Sequence, residues 1–273
     1  MGHNILIQIQ NNYISFSEKE KMIADYIIAY SSTLNNININ DLAQKTGTSN
    51  STITRFCKKI GCKNFVEMKM QLCADNNNNN NDKSYDLFEK IYSYYKTIIS
   101  GNNKILHKET ITKFIEKIKK SEKIFIYGLG SSALTAIEIK YRFQRMGMLV
   151  DSITDSHIML MNSSLVTEKD LVIGISNSGA TNEVIEGLKL AQKRKAYTVA
   201  ITSFKESAIT KYADLCFITY NTKFIGEKNF INSQLSIIYL VDILSMILLE
   251  DEELSKSMEK TLDVIYKYKE TNR

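Results

Sequence analysis

Two short segments of this 273-residue chain gather the residue types that hold an anion. The first is Gly128-Leu129-Gly130-Ser131-Ser132, after the apolar run Lys123–Tyr127 and before a helical pattern that starts near Ala133. The second is Ser176-Asn177-Ser178-Gly179-Ala180-Thr181, after Leu171–Ile175 and before a helical pattern from about Asn182. Each would set hydroxyls and backbone N–H groups at a helix N-terminus, where unpaired donors and the helix dipole favour negative charge. One hydroxyl is enough to cap a helix. The second segment offers three (Ser176, Ser178 and Thr181), which exceeds capping need and favours a phosphate site.

A third segment, Asp41 to Gly61, has the spacing helix, glycine turn, helix, with Gly47 in the turn. In its second helix Ile53, Phe56, Cys57 and Ile60 fall at i, i+3, i+4 and i+7 and predict the inward face. Ser49 is a natural N-cap. Asn50, Ser51, Thr52, Thr54, Arg55, Lys58 and Lys59 are then outward or at the helix start. A recognition helix presents its first residues to base edges and its cations to phosphates. Between Asp41 and Glu67 stand five cations (Lys45, Arg55, Lys58, Lys59 and Lys63) and no acid. Spacing alone leaves two readings open: a DNA interface, or the wet faces of two short amphipathic helices.

The elements that must position these residues follow from patterning. The run Asp75 to Asp82 is mostly asparagine and cannot build a core. It predicts a linker over 75–83 between a domain at 1–74 and a larger one at 84–273. Before it the pattern is helical, with capping-box spacing at Ser17–Glu20 and an apolar face of Met22, Ile23, Tyr26, Ile27 and Tyr30. After it, helical stretches at Tyr85–Ile99 and Ile105–Lys120 lead into apolar runs at Lys123–Tyr127, Met148–Ile153, Asp170–Ile175, Tyr197–Thr202 and Leu215–Ile218. Helical patterns separate most of these runs, and helices at Ile231–Glu250 and Glu253–Tyr268 close the chain. The fold class expected is an all-α N-terminal helix-turn-helix domain followed by an α/β domain with a parallel sheet flanked by helices.

Hydrophobic residues make up 44% and charged residues 24%, and the formal charge is +5, which permits a polyanionic partner without demanding one. The first ten residues lack the layout of a secretory leader. Leu235–Leu249, interrupted by Asp242, is short for a bilayer and reads as a buried helix. Cys57, Cys62, Cys73 and Cys216 form no Cys-x-x-Cys pair, so reduced core thiols are expected and no metal site is. A cytoplasmic location with no membrane partner and no cofactor is the expectation.

The sequence also resembles known families. Ile39-Asn40-Asp41-Leu42-Ala43, Gly47 to Phe56 (with its Ser49-x-x-Thr52-Ile53-x-Arg55-Phe56 core), Lys58-Lys59-Ile60-Gly61 and Asn64-Phe65 look like the N-terminal domain of RpiR-type transcription regulators. Ser51 stands where that family often has Ala or Pro. The two hydroxyl loops, with Asp170 before the second strand and Ile201-Thr202 after the next, resemble the SIS (sugar isomerase) domain over about Glu122 to Leu249. The resemblance implies a regulator that is not an enzyme, reads a double-stranded DNA operator of sugar metabolism genes, and answers to a phosphorylated sugar. It implies that Ser132, Ser176, Ser178 and Thr181 hold the phosphate, with Ser131 and Asn177 beside them and His157 near the sugar. Ser49, Asn50, Ser51, Thr52, Arg55 and Lys58 would meet DNA. A homodimer or homotetramer is expected, because helix-turn-helix proteins generally read paired half-sites.

Two rivals remain at this point. Gly128-x-Gly130-x-x-Ala133 with Asp151 is an acceptable dinucleotide fingerprint, as in an NADH-sensing redox repressor, although a second hydroxyl loop has no counterpart there. A sugar-phosphate isomerase would need a base, for which Glu183 or Glu227 are available. The chain has only His3, His107 and His157, and no spacing marks a catalytic pair.

Overall fold

The structure, a computed structural model, describes residues 5–30, 34, 37–76, 87–225 and 234–271. His3, Glu227, most of the expected linker (77–83) and the expected helix starts at Tyr85 and Ile231 lie outside the described residues. The chain divides into two compact units. One comprises Met1–Ile105 with Tyr220–Asn232, the other Leu106–Thr219 with Ser233–Arg273.

The described part of the first unit is helical: α1 (Ile5–Asn12), α2 (Glu18–Tyr30), α3 (Ile39–Thr46), α4 (Asn50–Lys59), α5 (Phe65–Asn76) and α6 (Leu87–Ile105). Short polar motifs set the helix starts. Ser17 and Glu20 form the expected capping box, each side chain meeting the other's backbone N–H. Asn38 and Asp41 form a second one ahead of α3. Gly47 then ends α3 at φ 61°, a left-handed conformation that favours glycine, and Ser49 caps α4 through the Thr52 N–H. Ile23, Ile27, Leu42, Ile53, Phe56 and Cys57 are fully buried, so α2, α3 and α4 share one core. Phe16 packs on Phe56 with ring centroids 5.1 Å apart.

Sequence patterning had not assigned α1, whose Ile5, Ile7 and Ile9 alternate like a strand but are buried on a helix. A second unforeseen feature is the 3₁₀ turn Thr222–Ile225 and the residues before it, which pack within this helical unit. The buried side chains of Asn102 (α6) and Gln10 (α1) accept the backbone N–H groups of Tyr220 and Asn221. The Tyr220 ring lies over Gly101 so closely that a Cβ there would meet it at 2.4 Å. Lys223 Nζ reaches Asp25 of α2 at 2.7 Å.

The second unit alternates: α7 (Lys108–Lys120), β1 (Ile124–Gly128), α8 (Ser131–Arg145), β2 (Val150–Ile153), α9 (Ser156–Leu165), β3 (Leu171–Ile175), α10 (Asn182–Lys193), β4 (Tyr197–Thr202), β5 (Leu215–Ile218), α11 (Leu235–Leu248) and α12 (Glu252–Thr271). All five strands are parallel, in the order β2-β1-β3-β4-β5. Strands covered on both faces need apolar residues at consecutive positions, and all of Leu171–Ile175 is buried. Alternate residues serve opposite faces. Ile124, Ile126, Leu171, Ile173 and Ile175 pack with α7, α8 and α11. Tyr127 and Val172 pack with α9 and α10. A Cβ on Gly174 would meet Leu188 at 2.8 Å, so the glycine lets α10 lie close to the sheet. No helix among the described residues is long and apolar enough to cross a membrane.

Candidate functional site

In this strand order the chain leaves β1 toward β2 on one side and β3 toward β4 on the other. The switch point falls between β1 and β3, where ligands of doubly wound sheets bind, outside the carboxyl ends of the strands. Both hydroxyl loops lie there. Gly128 pairs with Ile175 at the end of the β1–β3 register, so Gly128–Ser132 and Ser176–Thr181 leave the sheet side by side. They feed helices on opposite faces, α8 and α10.

Neither helix takes a side-chain cap. Gly130 stands at the N-cap of α8 and Thr181 at that of α10, without a capping bond from its hydroxyl. The hydroxyls of these loops are therefore not explained as helix caps. Both glycines of the first loop have structural causes. Gly130 sits at φ 56°, and a Cβ on Gly128 would meet the Ser132 carbonyl oxygen at 2.6 Å. Ser131 is exposed and Ser132 half-buried, and the Ser131 carbonyl accepts a bond from Gln234 Nε2 at 2.7 Å.

The second loop is held from below. Ser176 is buried and its hydroxyl pairs with that of Thr181 at 2.8 Å. Asn177 turns inward. Its carbonyl oxygen accepts from the Ser203 N–H at 3.1 Å, and its side-chain oxygen from the Ser203 hydroxyl. Gly179, at φ 66°, presses on Ser207, whose Oγ a Cβ would meet at 2.1 Å. Ser178 stays exposed at the tip, and its hydroxyl accepts from the Ala180 N–H at 3.3 Å. Sequence reading missed Ser203 and Ser207, which lie just past β4. They carry no motif of their own, and only the β3–β4 pairing brings them under the loop.

His157 lies exposed in the first turn of α9, at the same edge of the sheet, with its backbone N–H bonded to the cap residue Asp155. Asp170 is at the other edge, where it fastens Thr167 by two bonds before β3 begins. A surface concavity of about 700 Å³ lined by Lys123, Phe125, Asn162 and Asp170 also opens at that far edge and contains no candidate residue. Asp151 is the second residue of β2 and pairs with Lys140 of α8 at 2.7 Å. A ribose-binding acid would belong at the strand's carboxyl end, so the dinucleotide reading loses support.

In the helical unit, Asn50, Ser51, Arg55 and Lys58 of α4 are exposed. One expectation needs correction. Thr52 is buried, and its hydroxyl lies 2.9 Å from that of the exposed cap residue Ser49. Lys59 is exposed as expected, and its ammonium pairs with Glu20 at 2.8 Å and donates to the Ser15 carbonyl.

Burial pushes the Glu20 carboxyl up, but Lys59 and the backbone N–H and hydroxyl of Ser17 outweigh it and hold the group below its ordinary value of 4.5. A folded-state value below the unfolded one gives stability that is complete above about pH 4.5 and lost as the pH falls through the folded value. The melting temperature of the wild type is expected to fall more steeply than that of Glu20→Gln on acidification through this range. Parallel pH profiles would count against the link.

The class defined by this architecture is a helix-turn-helix unit joined to a parallel-sheet unit with paired anion-type loops. Residues 3–79 match the helix-turn-helix domain of the rpiR family, and residues 117–244 match the SIS domain. The chain belongs to the RpiR family of helix-turn-helix transcription regulators that carry a C-terminal SIS domain. It is 28% identical to an HTH-type transcriptional regulator of Haemophilus influenzae over 96% of each chain. Among solved structures it is similar to the Vibrio vulnificus NanR protein complexed with ManNAc-6P, at 26% identity and TM-score 0.62, covering 97% of this chain and 99% of that one. The sugar isomerase domain of an RpiR transcription factor from Sphaerobacter thermophilus shares the fold at 18% identity and TM-score 0.60, covering 66% of this chain and 99% of that one.

Proposed function

We propose that this chain is a cytoplasmic DNA-binding regulator of sugar metabolism genes whose SIS domain senses a phosphorylated sugar without converting it. The observation that carries the reading is the pair of adjacent loops at the β1/β3 switch point, rich in hydroxyls that cap neither helix. Ser132, Ser176, Ser178 and Thr181 are the phosphate ligands in this reading, with Ser131 beside them and His157 toward the sugar. Asn177 serves by fixing the loop to Ser203. The similar NanR protein is complexed with ManNAc-6P, which supports a phosphorylated sugar as the ligand class here. Residues 1–74 are assigned to DNA reading, 75–83 to a linker and 84–273 to sensing, apart from α6 and Tyr220–Ile225, which pack with the helical unit, and the working form to a homodimer or homotetramer.

The DNA-reading set is Asn50, Ser51, Arg55 and Lys58, with Ser49 holding the helix start. Full-length protein is expected to enrich one duplex sequence from a random library. Arg55→Ala is then expected to weaken that complex by about 1–3 kcal/mol. A base contact would appear as relaxed preference at one position, and a phosphate contact as a uniform loss with a shallower salt dependence. Unchanged affinity at every salt concentration would take Arg55 out of the interface.

A further inference from the structure

Asn40 is the second residue of α3, and Asn50 is the first of the recognition helix α4. Their side chains meet across the turn: Asn50 Nδ2 donates to Asn40 Oδ1 at 2.6 Å. Both residues are exposed, so burial does not force the bond, and an exposed amide pair adds little to stability. What it does is orient. A free asparagine amide can turn either its oxygen or its nitrogen toward a partner. With Asn40 accepting one N–H, Asn50 has its nitrogen placed, with one N–H and its Oδ1 oxygen left over.

One donor beside one acceptor is the complement of adenine in the major groove, which shows the N7 acceptor next to the N6 amino donor. Guanine shows two acceptors there, O6 and N7, so the Oδ1 oxygen would face a like group. Asn50 also stands where a recognition helix meets base edges, at its first turn. Ile53, Phe56 and Cys57 further along the helix are buried, whereas Asn50 at its first position is exposed. We propose that Asn40 is a positioning residue for sequence readout, holding the Asn50 amide for two-bond recognition of an adenine at one fixed step of the operator. The inference rests on the DNA-reading assignment above and names the base that assignment leaves open.

The test uses the full chain and duplex DNA selected from a random library, then measures affinity for each base at every position of the selected site. The wild type is expected to prefer adenine at one position by on the order of tenfold. Asn50→Ala should erase that preference at that position alone. Asn40→Ala should reduce it by about threefold, the worth of a modest orienting bond, while other positions keep their preferences. Asn40→Asp supplies an acceptor that can only accept, so the adenine preference should survive, with affinity lowered uniformly by the charge near DNA. Full adenine preference in Asn40→Ala, a uniform loss across bases in that variant, or loss of the preference in Asn40→Asp would each overturn the inference while leaving DNA reading in place. A wild type that enriches no sequence would overturn the DNA-reading assignment itself, and the inference with it.

Discussion

Ser178→Glu is expected to weaken sugar-phosphate binding by at least about thirtyfold while leaving effector-free DNA binding near that of the wild type. Ser178 is the exposed tip of the loop between β3 and α10, and its neighbours on both sides, Ser176 and Thr181, carry the paired hydroxyls. A carboxylate there would stand within about 4 Å of a bound phosphate, where each unit of like charge costs about 4 kcal/mol at the dielectric of a protein surface. That corresponds to about a thousandfold in affinity. Losing half of it to ionic screening at this wet site still leaves about thirtyfold. Ser178→Ala removes only a hydrogen bond to a charged group, about 1.5–3 kcal/mol; the glutamate loses that bond as well and adds the repulsion, so the two variants should rank alanine above glutamate in affinity. The measurement is calorimetry with the sugar phosphate that most raises the melting temperature of the wild type. Equal, wild-type affinity in both variants would move the anion site away from this loop.

The loops were legible as candidates because their composition exceeds what capping needs. Both precede helices, both follow strands, and neither helix uses a hydroxyl cap. The strands were legible for a similar reason: a parallel sheet buried on both faces leaves short apolar runs, and Tyr197–Thr202 and Leu215–Ile218 form strands with the bounds that patterning predicts. Elsewhere the ends moved. Met148 and Leu149 precede β2, and Gly128 joins β1, since pairing with the neighbouring strand decides where a strand stops.

What composition could not show was set by distant partners. Thr52 has the residue type of an outward contact, yet it is buried, with its hydroxyl beside that of Ser49. Lys59 counts as a cation in sequence, and its pairing with Glu20, on a different helix, carries no local signature. α1 carries a strand-like alternation in Ile5, Ile7 and Ile9, and tertiary burial overrides it. The packing of Tyr220–Ile225 with the helical unit depends on the buried amides of Gln10 and Asn102, which have no local signature and lie 211 and 118 residues from their partners. Ser203 and Ser207 belong with the second loop only because β4 pairs with β3.

The second large effect expected is linkage between the two sites without turnover. If the SIS domain senses, the sugar phosphate must bind two states of the protein unequally, and DNA must prefer one of them. Couplings of this kind are typically about 1–3 kcal/mol, which is roughly 5- to 150-fold in affinity. The factor by which the sugar phosphate changes DNA affinity must equal the factor by which DNA changes sugar-phosphate affinity. Catalysis would require more than an anion site. Moving a proton between adjacent carbons needs a base within hydrogen-bond reach of the substrate. The carboxylate nearest the loops in sequence, Glu183, is exposed in the first turn of α10. The decisive experiment titrates the selected duplex with and without the stabilising sugar phosphate, repeats the titration in the other direction, and follows the carbohydrate by NMR throughout. Equal, non-unit factors and an unchanged sugar spectrum are the expected result. Steady conversion of aldose to ketose phosphate, with DNA affinity indifferent to the ligand, would make the domain an isomerase and remove the sensing assignment.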